Sequence, residues 1–360
     1  MAARRAVVAQ ASCLCVPIKF SVCKYKLTGE TPVPLNFMAL KQVEIRVSGK
    51  NTLVPAVEIC GRTVIARGGR IKIASILDDI VAEGELVPDP DAFVTALTQS
   101  GLQADVLTFF QRPPDVTPKF KHHYEWDNYA AVDCSNFDAW WEKLPQEARK
   151  NTRRSAKRGV VVKGVPYDDA LVAGIHKLCN ESPVRQGKPF WHYGKDFATV
   201  KREHGTFLER SEFVGAYFQD ELIGFIKLVY VDRIAFILHI LAFNSHYDKR
   251  PLNALITKAV EICAAKGVKY FVYDKYVYGN KKDSSLVEFK RRNGFEQVNF
   301  PRYYLPLTLK GKVYVRLRLY RGAVGLIPGP VLNWLLKIRD KFYELKNKPE
   351  KTEPAKDKEE

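Results

Sequence analysis

The chain has 360 residues, of which 46% are hydrophobic and 12% aromatic, so it can bury a large core in one large domain or two ordinary ones. Its formal net charge of +17 favours a polyanionic partner such as tRNA, an anionic membrane surface or a pyrophosphate-linked sugar, although solubility alone also accounts for it. The seven cysteines form neither a C-x-x-C pair nor a Cys/His ligand cluster, which argues against structural zinc and fits a reducing cytoplasm. No apolar run approaches the ~20 residues that span a bilayer.

The amino-terminal part divides into two stretches. Residues 1–40 are predicted to be a disordered extension or to follow a misassigned start, because the apolar run after Arg4-Arg5 is too short and too polar for a signal peptide. Regular patterns follow: KQVEIRV, VPAVEI and RTVIA are typical of strands, a helix is predicted over 89–97 and a buried strand over 104–110. Residues 41–118 are therefore predicted to form a first lobe.

A proline-rich connector, QRPPDVTPKFKHHYEWDNYAAV, marks a domain boundary near Lys119. It contains His122 and His123, but adjacent residues on an extended chain point in opposite directions. No third ligand stands at metal spacing, so a metal site is not predicted.

A basic helix follows the connector. Ser135 is predicted to cap a first helix, and Pro145 then begins a second helix with cations four residues apart up to Gly159. Like charges at that spacing repel, so either a polyanion or solvent screening must compensate. The predicted polyanion-binding residues are Arg149, Arg153, Arg154 and Lys157.

A donor-rich loop, ESPVRQGKPFWHYGK, comes after a predicted strand over 160–165 and a helix over 167–180. It combines glycine and proline with cationic and flat aromatic side chains, which suits contact with a substrate as well as packing of a surface loop. The predicted substrate-binding residues of this loop are Arg185, Gln186, Lys188, Trp191, His192 and Tyr193.

The best-defined stretch lies between residues 213 and 304. Three apolar runs, 213–218, 222–231 and 234–243, are separated by two-residue turns and predict an antiparallel meander. Pro251 opens a helix that Gly267 closes, a strand over 268–272 follows, and Ser284 or Ser285 caps a second helix that leads into a last strand. The order is βββαβαβ.

This order, with LVEFKRRNGF at the end of the second helix, resembles the Gcn5-related N-acyltransferase (GNAT) fold. The segments KRRNGFEQVNFPRYYLPLT, YVYGNK, SPVRQGKPFWHYGK and RKNTRRSAKRGVVV together resemble the FemAB-like branch over residues 41–320. The resemblance implies an α+β protein with two GNAT-like lobes of mixed, mostly antiparallel sheet flanked by helices. Residues 41–118 would be a degenerate lobe and 119–320 the better-formed acyltransferase lobe.

The resemblance also implies an activity: transfer of an acyl or aminoacyl group to an amine on a cell-envelope or polysaccharide-linked intermediate, in the cytoplasm or at the inner face of the membrane. The activated donor would be aminoacyl-tRNA, acyl-CoA or an acyl carrier, used as a co-substrate, with no permanently bound cofactor. The turn over 244–251 departs from the acetyl-CoA-using pattern, since it has no glycine, contains Asp248 and loses one amide donor at Pro251. This turn predicts weak binding of acetyl-CoA.

In GNAT proteins the fourth and fifth strands splay apart at the acyl carbon, and here that opening is expected between 234–243 and 268–272. His239 lies in the first of these runs and is predicted to be a general base, although a satisfied core histidine is a nearly equal alternative. Tyr273 and Tyr278 follow the partner strand as predicted acids. Further predicted substrate-binding residues are Lys275, Tyr276, Gly279, Asn280, Lys281, Lys290 and Arg291.

No cysteine has an activating setting, so direct attack by the amine is predicted in place of a covalent acyl-enzyme. The alternative is a non-catalytic module on a GNAT fold that binds nucleic acid or an anionic membrane. Residues 312–319 are predicted to be a strand, 321–347 an amphipathic helix for the membrane interface or its own domain, and 348–360 a disordered charged tail.

Overall fold

A computed structural model describes residues 40–47, 50–185, 188–278 and 284–322, together with Val331, Trp334 and Ile338. The extension predicted over 1–40, apart from Leu40, and the tail predicted over 348–360 lie outside the described residues. So does most of the helix predicted over 321–347.

Strands dominate the described residues, and eight α-helices connect or cover them. The strands are β1 (Lys41–Val47), β2 (Lys50–Ile59), β3 (Arg62–Arg67), β4 (Ile73–Ile76), β5 (Val106–Phe110), β6 (Tyr124–Asp133), β7 (Val161–Val165), β8 (Val184–Arg185), β9 (Lys188–Pro189), β10 (Ser211–Phe218), β11 (Glu221–Val231), β12 (Ile234–Ala242), β13 (Tyr270–Val272) and β14 (Glu296–Pro306). The helices are α1 (Pro90–Gln99), α2 (Phe137–Lys143), α3 (Gln146–Lys157), α4 (Asp169–Cys179), α5 (Phe197–His204), α6 (Pro251–Ala265), α7 (Ser285–Arg292) and α8 (Leu309–Arg316).

Twelve strands form one sheet in the order β1-β2-β3-β4-β5-β14-β6-β13-β12-β11-β10-β7, and β8 pairs with β9 separately. Among the described strands, only two neighbouring pairs are parallel: β4 with β5, and β12 with β13. The protein is therefore α+β with a mixed, mostly antiparallel sheet, as predicted.

The predicted βββαβαβ order is confirmed as β10, β11, β12, α6, β13, α7 and β14. Tight turns join the first three strands, with left-handed backbone at Asp220 and Asp232. Pro251 begins α6, and Gly267 follows its end at φ +69°. Turn and cap residues thus fix where each element of this half begins and ends.

Two predictions about local structure are wrong. Residues 312–319, predicted to be a strand, lie in α8 and in the turn that follows it, because Thr308 caps a helix there by accepting a hydrogen bond from the Gly311 amide. The cap of α2 is Asn136 and not Ser135, because the Asn136 side chain accepts from the Ala139 amide at 2.9 Å.

Apolar faces of α4 and α6 pack on the central strands. Leu255, Ala259 and Cys263 of α6 are fully buried at helical spacing, as are Val172 and Ile175 of α4. No helix of the described residues has both the length and the apolar character that crossing a bilayer requires.

Candidate active site

Strand β12 continues beyond its parallel partner. The pairing of β12 with β13 covers only Ile234–Phe236, so the rest of β12 has no strand on that side among the described residues. On the other side, the register with β11 shifts at Leu238, where β12 has one extra residue. The expected opening therefore lies where the backbone donors and acceptors of β12 have no β13 partner in the described residues.

His239 lies in this unpaired part of β12, opposite Lys227 of β11. Its ring centroid is 4.4 Å from that of His204 and 6.4 Å from that of His192. Burial, together with the nearby His204 and Lys227, holds the pKa of His239 well below its usual value. His239 is therefore neutral at pH 7, and a neutral imidazole has one ring nitrogen that can accept a proton.

Lys227 is fully buried beside His239. Its ammonium donates to the His204 carbonyl at 2.7 Å, to Thr206 Oγ1 at 3.1 Å and to the Thr206 carbonyl. Burial lowers the pKa of Lys227 to about 8. Sequence reasoning missed both this lysine and His204; the available signal was a lysine inside an otherwise apolar strand.

The donor-rich loop reaches His239 through His192. Lys195 Nζ lies 2.5 Å from Glu203 Oε2 and 3.3 Å from His192 Nδ1, and it lies over the Trp191 ring at 4.0 Å. Tyr193 is exposed. The predicted residues Trp191 and His192 thus lie on the His239 side of the opening, whereas Gln186 and the side chain of Lys188 lie outside the described residues.

Arg185 ties the loop to β12. Its guanidinium donates to the Ala242 carbonyl and forms an ion pair with Glu181 at 3.1 Å. Glu181 in turn accepts from the amides of Asn244 at 2.9 Å and Ser245 at 3.0 Å. A carboxylate of the chain itself thus occupies the amides that open the turn over 244–251.

A second buried lysine, Lys290 of α7, packs beside Tyr273 and Lys275, which follow β13 in the chain. Its side chain is fully buried, and Nζ is 4.7 Å from the Tyr273 ring centroid and 5.1 Å from that of Tyr278. It donates to the Lys275 carbonyl, and burial lowers its pKa to about 8. Burial also raises the pKa of Tyr273 to about 12. Lys290 and these two tyrosines are called the Lys290 cluster below.

The remaining predicted residues of this half have different settings. Tyr278 donates to Asp274 Oδ2 at 2.7 Å, and Lys275 forms an ion pair with Asp127 at 2.9 Å. Arg291 binds Glu288 through two hydrogen bonds on the exposed side of α7. Tyr276 is half-buried against the core, and Gly279, Asn280 and Lys281 lie outside the described residues.

A cavity of about 720 Å³ lies between the starts of α3 and α6 and helix α7. Arg250, Arg291 and Arg292 line it, together with Tyr247 and Tyr273. Among the described residues no side chain caps α6, so its first amides carry the partial positive charge of a helix amino terminus at this cavity. The cavity suits an anionic group, and Tyr273 connects it to the Lys290 cluster.

Helix α3 presents part of its basic stripe to solvent. Arg149 is paired with Glu142 at 2.6 Å, and Arg153 lies over the Trp141 ring at 5.8 Å. Arg153, Arg154 and Lys157 are exposed. Of the four predicted polyanion-binding residues, these last two are the most available.

The predicted convergence of His239 and Tyr278 on one pocket remains a prediction. In the described residues, Tyr278 contacts Asp274 and Lys290, whereas His239 contacts His192, His204 and Lys227. Within the same residues, no group of three or more His, Cys, Asp or Glu side chains is arranged to hold a metal ion.

No protein-family model and no curated protein matches the chain. Among solved structures, FemX has a TM-score of 0.50 at 11% identity, covering 79% of this chain and 91% of that one. The C-terminal domain of a putative lysylphosphatidylglycerol synthetase from Agrobacterium fabrum has a TM-score of 0.48 at 13% identity, covering 74% and 88%. L-PGS from Bacillus licheniformis has a TM-score of 0.46 at 12% identity, covering 76% and 90%. The chain has a FemAB-like GNAT fold, which confirms the predicted resemblance at the level of the fold.

Proposed function

We propose that this chain, with its FemAB-like GNAT fold, is an N-acyltransferase or aminoacyltransferase in which an acceptor amine attacks an activated acyl donor directly. The observation that carries the proposal is the unpaired part of β12 beyond Phe236, with the neutral His239 on that strand. A fold shared with acyltransferases agrees with this activity. The alternative is the non-catalytic polyanion-binding module, which the exposed Arg154 and Lys157 favour.

The proposed reaction needs three things from the protein. The amine nitrogen forms a bond to the acyl carbonyl carbon, and His239 accepts the amine proton. Backbone amides of β12 at the opening stabilise the oxyanion of the tetrahedral intermediate. The bond to the donor's oxygen or sulfur then breaks, and the ammonium of Lys290 or the hydroxyl of Tyr278 supplies a proton to the leaving group.

The arginine-lined cavity is the proposed donor site. Phosphate oxygens of a tRNA 3′ end or of an acyl-CoA suit Arg250 and the start of α6, and they would take the place of Glu288, which pairs with both Arg291 and Arg292. The Asn244 and Ser245 amides already donate to the Glu181 carboxylate, so they are not open to a pyrophosphate. This supports the prediction that acetyl-CoA binds weakly, and aminoacyl-tRNA is the favoured donor.

The loop around Trp191 and His192 is the proposed acceptor side, because it adjoins His239 from the other direction. Its aromatic and cationic groups suit a sugar or lipid headgroup that bears an amine and an anionic group. The FemAB-like resemblance supports acceptors of the cell envelope and an enzyme in the cytoplasm or at the inner face of the membrane.

Two GNAT-like lobes are also part of the proposal. The connection β4-α1-β5 has the same parallel pairing as β12-α6-β13, which supports a degenerate lobe over 41–118 and an acyltransferase lobe over 119–320. The boundary near Lys119 falls between β5 and β6, which are joined in the sheet by β14.

A transfer assay tests the proposal. Radiolabelled alanyl-tRNA, lysyl-tRNA and acetyl-CoA are each incubated with the protein and with amine-bearing nucleotide sugars, muropeptide precursors or amino-lipids, and the label in the acceptor is measured. We expect transfer from a tRNA donor and a 10²- to 10⁴-fold lower rate for His239→Gln, which keeps hydrogen bonding but loses basicity.

His176→Gln on α4 is the matched control and should retain the full rate. Tight binding of tRNA without transfer to any acceptor, unaffected by His239→Gln, would favour the polyanion-binding module instead. Tight, salt-insensitive binding of acetyl-CoA in a calorimeter would contradict the donor preference.

A further inference from the structure

Helix α8 exposes a row of apolar side chains. Leu309, Val313 and Leu317, at the end of the helix, are 78%, 56% and 58% exposed. Residues four apart lie on the same face of a helix, so these three form one continuous stripe. A stripe of large apolar side chains at this exposure is unusual on a surface that contacts only water.

The stripe does not arise from a loosely placed helix. The opposite face of α8, with Gly311 and Val315, is buried. A Cβ on Gly311 would lie 1.9 Å from the Asp105 carbonyl oxygen, so only glycine allows this approach. Thr308 caps the helix and donates to Asp105 Oδ1 at 2.7 Å. Because its inner face is fixed, α8 holds the stripe outward.

Cations border the stripe. With about 3.6 residues per turn, Lys312 and Arg316 lie on one side of it and Lys310 on the other. All three are exposed, and none forms an ion pair with a residue that the structure describes. Helix α8 itself contains no acidic residue.

We propose that this face of α8 binds the surface of an anionic lipid bilayer. An apolar stripe between rows of cations lets the apolar side chains enter the acyl boundary while the ammonium and guanidinium groups reach the phosphates. Three helical residues further along the chain, Val331, Trp334 and Ile338, are also exposed and apolar at helical spacing. The inference does not depend on the catalytic assignment.

Co-sedimentation of the full chain with vesicles tests the proposal. The vesicles are pure phosphatidylcholine or phosphatidylcholine with phosphatidylglycerol. We expect binding to the anionic vesicles only, falling with salt. The variant Leu309→Gln/Val313→Gln/Leu317→Gln should bind roughly tenfold more weakly or worse. Lys310→Gln/Lys312→Gln/Arg316→Gln should lose roughly fivefold for each cation at low salt.

A control variant with equally exposed apolar residues elsewhere is Leu53→Gln/Val161→Gln/Leu208→Gln, and its binding should be unchanged. Circular dichroism and urea unfolding show whether each variant remains folded. Equal binding to both kinds of vesicle, or equal loss in the control variant, would overturn the proposal. So would a dimer in solution that the α8 apolar variant dissociates while no variant changes vesicle binding, since a second copy of the chain would then be the occupant.

Discussion

Lys227 and Lys290 share burial and titration but differ in their partners. Both side chains are fully buried, and burial lowers the pKa of each to about 8. Lys227 gives its hydrogen bonds to three oxygens at the end of α5, the His204 carbonyl and both oxygens of Thr206. Lys290 gives one hydrogen bond to a carbonyl and otherwise faces the rings of Tyr273 and Tyr278.

An ammonium has three donors. At Lys227 all three are used within the protein, so this lysine connects β11 to the end of α5 and positions His204 against His239. At Lys290, hydrogen bonds within the described residues account for one donor, and the ammonium otherwise lies beside the Tyr273 and Tyr278 rings. We therefore propose a positioning role for Lys227 and a role in contact with substrate for Lys290.

The largest expected effect separates these roles by rate. Lys290→Met should lower the transfer rate by roughly 10²- to 10⁴-fold, the range for losing a group that moves a proton. Its unfolding free energy at pH 7 should change by less than about 1 kcal/mol, because the cost of burying a charge disappears with the hydrogen bond.

Lys143→Met, at an exposed position on α2, is the control for rate. If Lys290→Met keeps the full rate, Lys290 has a structural role like Lys227, and the proposed difference between the two lysines is wrong.

The next effect separates the roles by stability. Lys227→Met leaves three buried oxygens without their donor, and each unsatisfied group costs about 1–3 kcal/mol, offset in part by removal of the buried charge. We expect the unfolding free energy to fall by about 2–4 kcal/mol, measured by urea denaturation at pH 7 beside Lys290→Met. A Lys290→Met variant that is the less stable of the two would reverse the assignment.

The third prediction concerns pH. Because both lysines have a folded pKa near 8 and an ordinary value of 10.5, the unfolded chain binds more protons between these values. The contribution of each lysine to the unfolding free energy therefore becomes less unfavourable as pH rises through this window, by about 2 kcal/mol from pH 7 to pH 9.5.

The measurement is the difference in unfolding free energy between the wild type and Lys290→Met at the two pH values. This difference cancels the opposing contribution of buried thiols such as Cys179, whose pKa is raised to about 11. A difference that does not change with pH would mean that Lys290 is not buried as a charge.

The sequence predicted the framework of this site because local signals determine it. Two-residue turns, Pro251 and Gly267 define the meander and α6, and the position of His239 on β12 follows from them. Partners of buried lysines are set by distant segments: Lys227 meets the end of α5, and Lys290 meets Lys275, fifteen residues back. A sequence pattern that treats lysine as exposed does not contain this information.

Helix α8 shows how a local pattern misleads. Its sequence KVYVRLRL alternates apolar and polar residues, which is typical of a strand. The cap at Thr308 and the close approach of Gly311 to Asp105 favour a helix instead. The alternation then places Val313 and Leu317 outward, so the same residues that suggested a strand form the exposed stripe.

The smallest expected effect tests whether the Lys290 side of the molecule handles a polyanion. Helix α3 lines the arginine-containing cavity together with α7, so a tRNA bound there would pass along α3. Arg149 is paired with Glu142, whereas Arg153, Arg154 and Lys157 are exposed, and of these three Arg153 lies over the Trp141 ring.

Replacing Arg154 and Lys157 by Gln should therefore lower the slope of log binding constant against log salt for tRNA by nearly two, since each lost phosphate contact removes about 0.7–0.9. Adding Arg149→Gln should change the slope little further, because Glu142 already pairs with that charge. Arg70→Gln/Lys121→Gln, in loops of the first half of the chain, is the control with two exposed cations that form no ion pair with a described residue. An equal change in slope for this control would return the α3 stripe to a solvated surface, and tRNA would then have to approach the Lys290 cluster by another path.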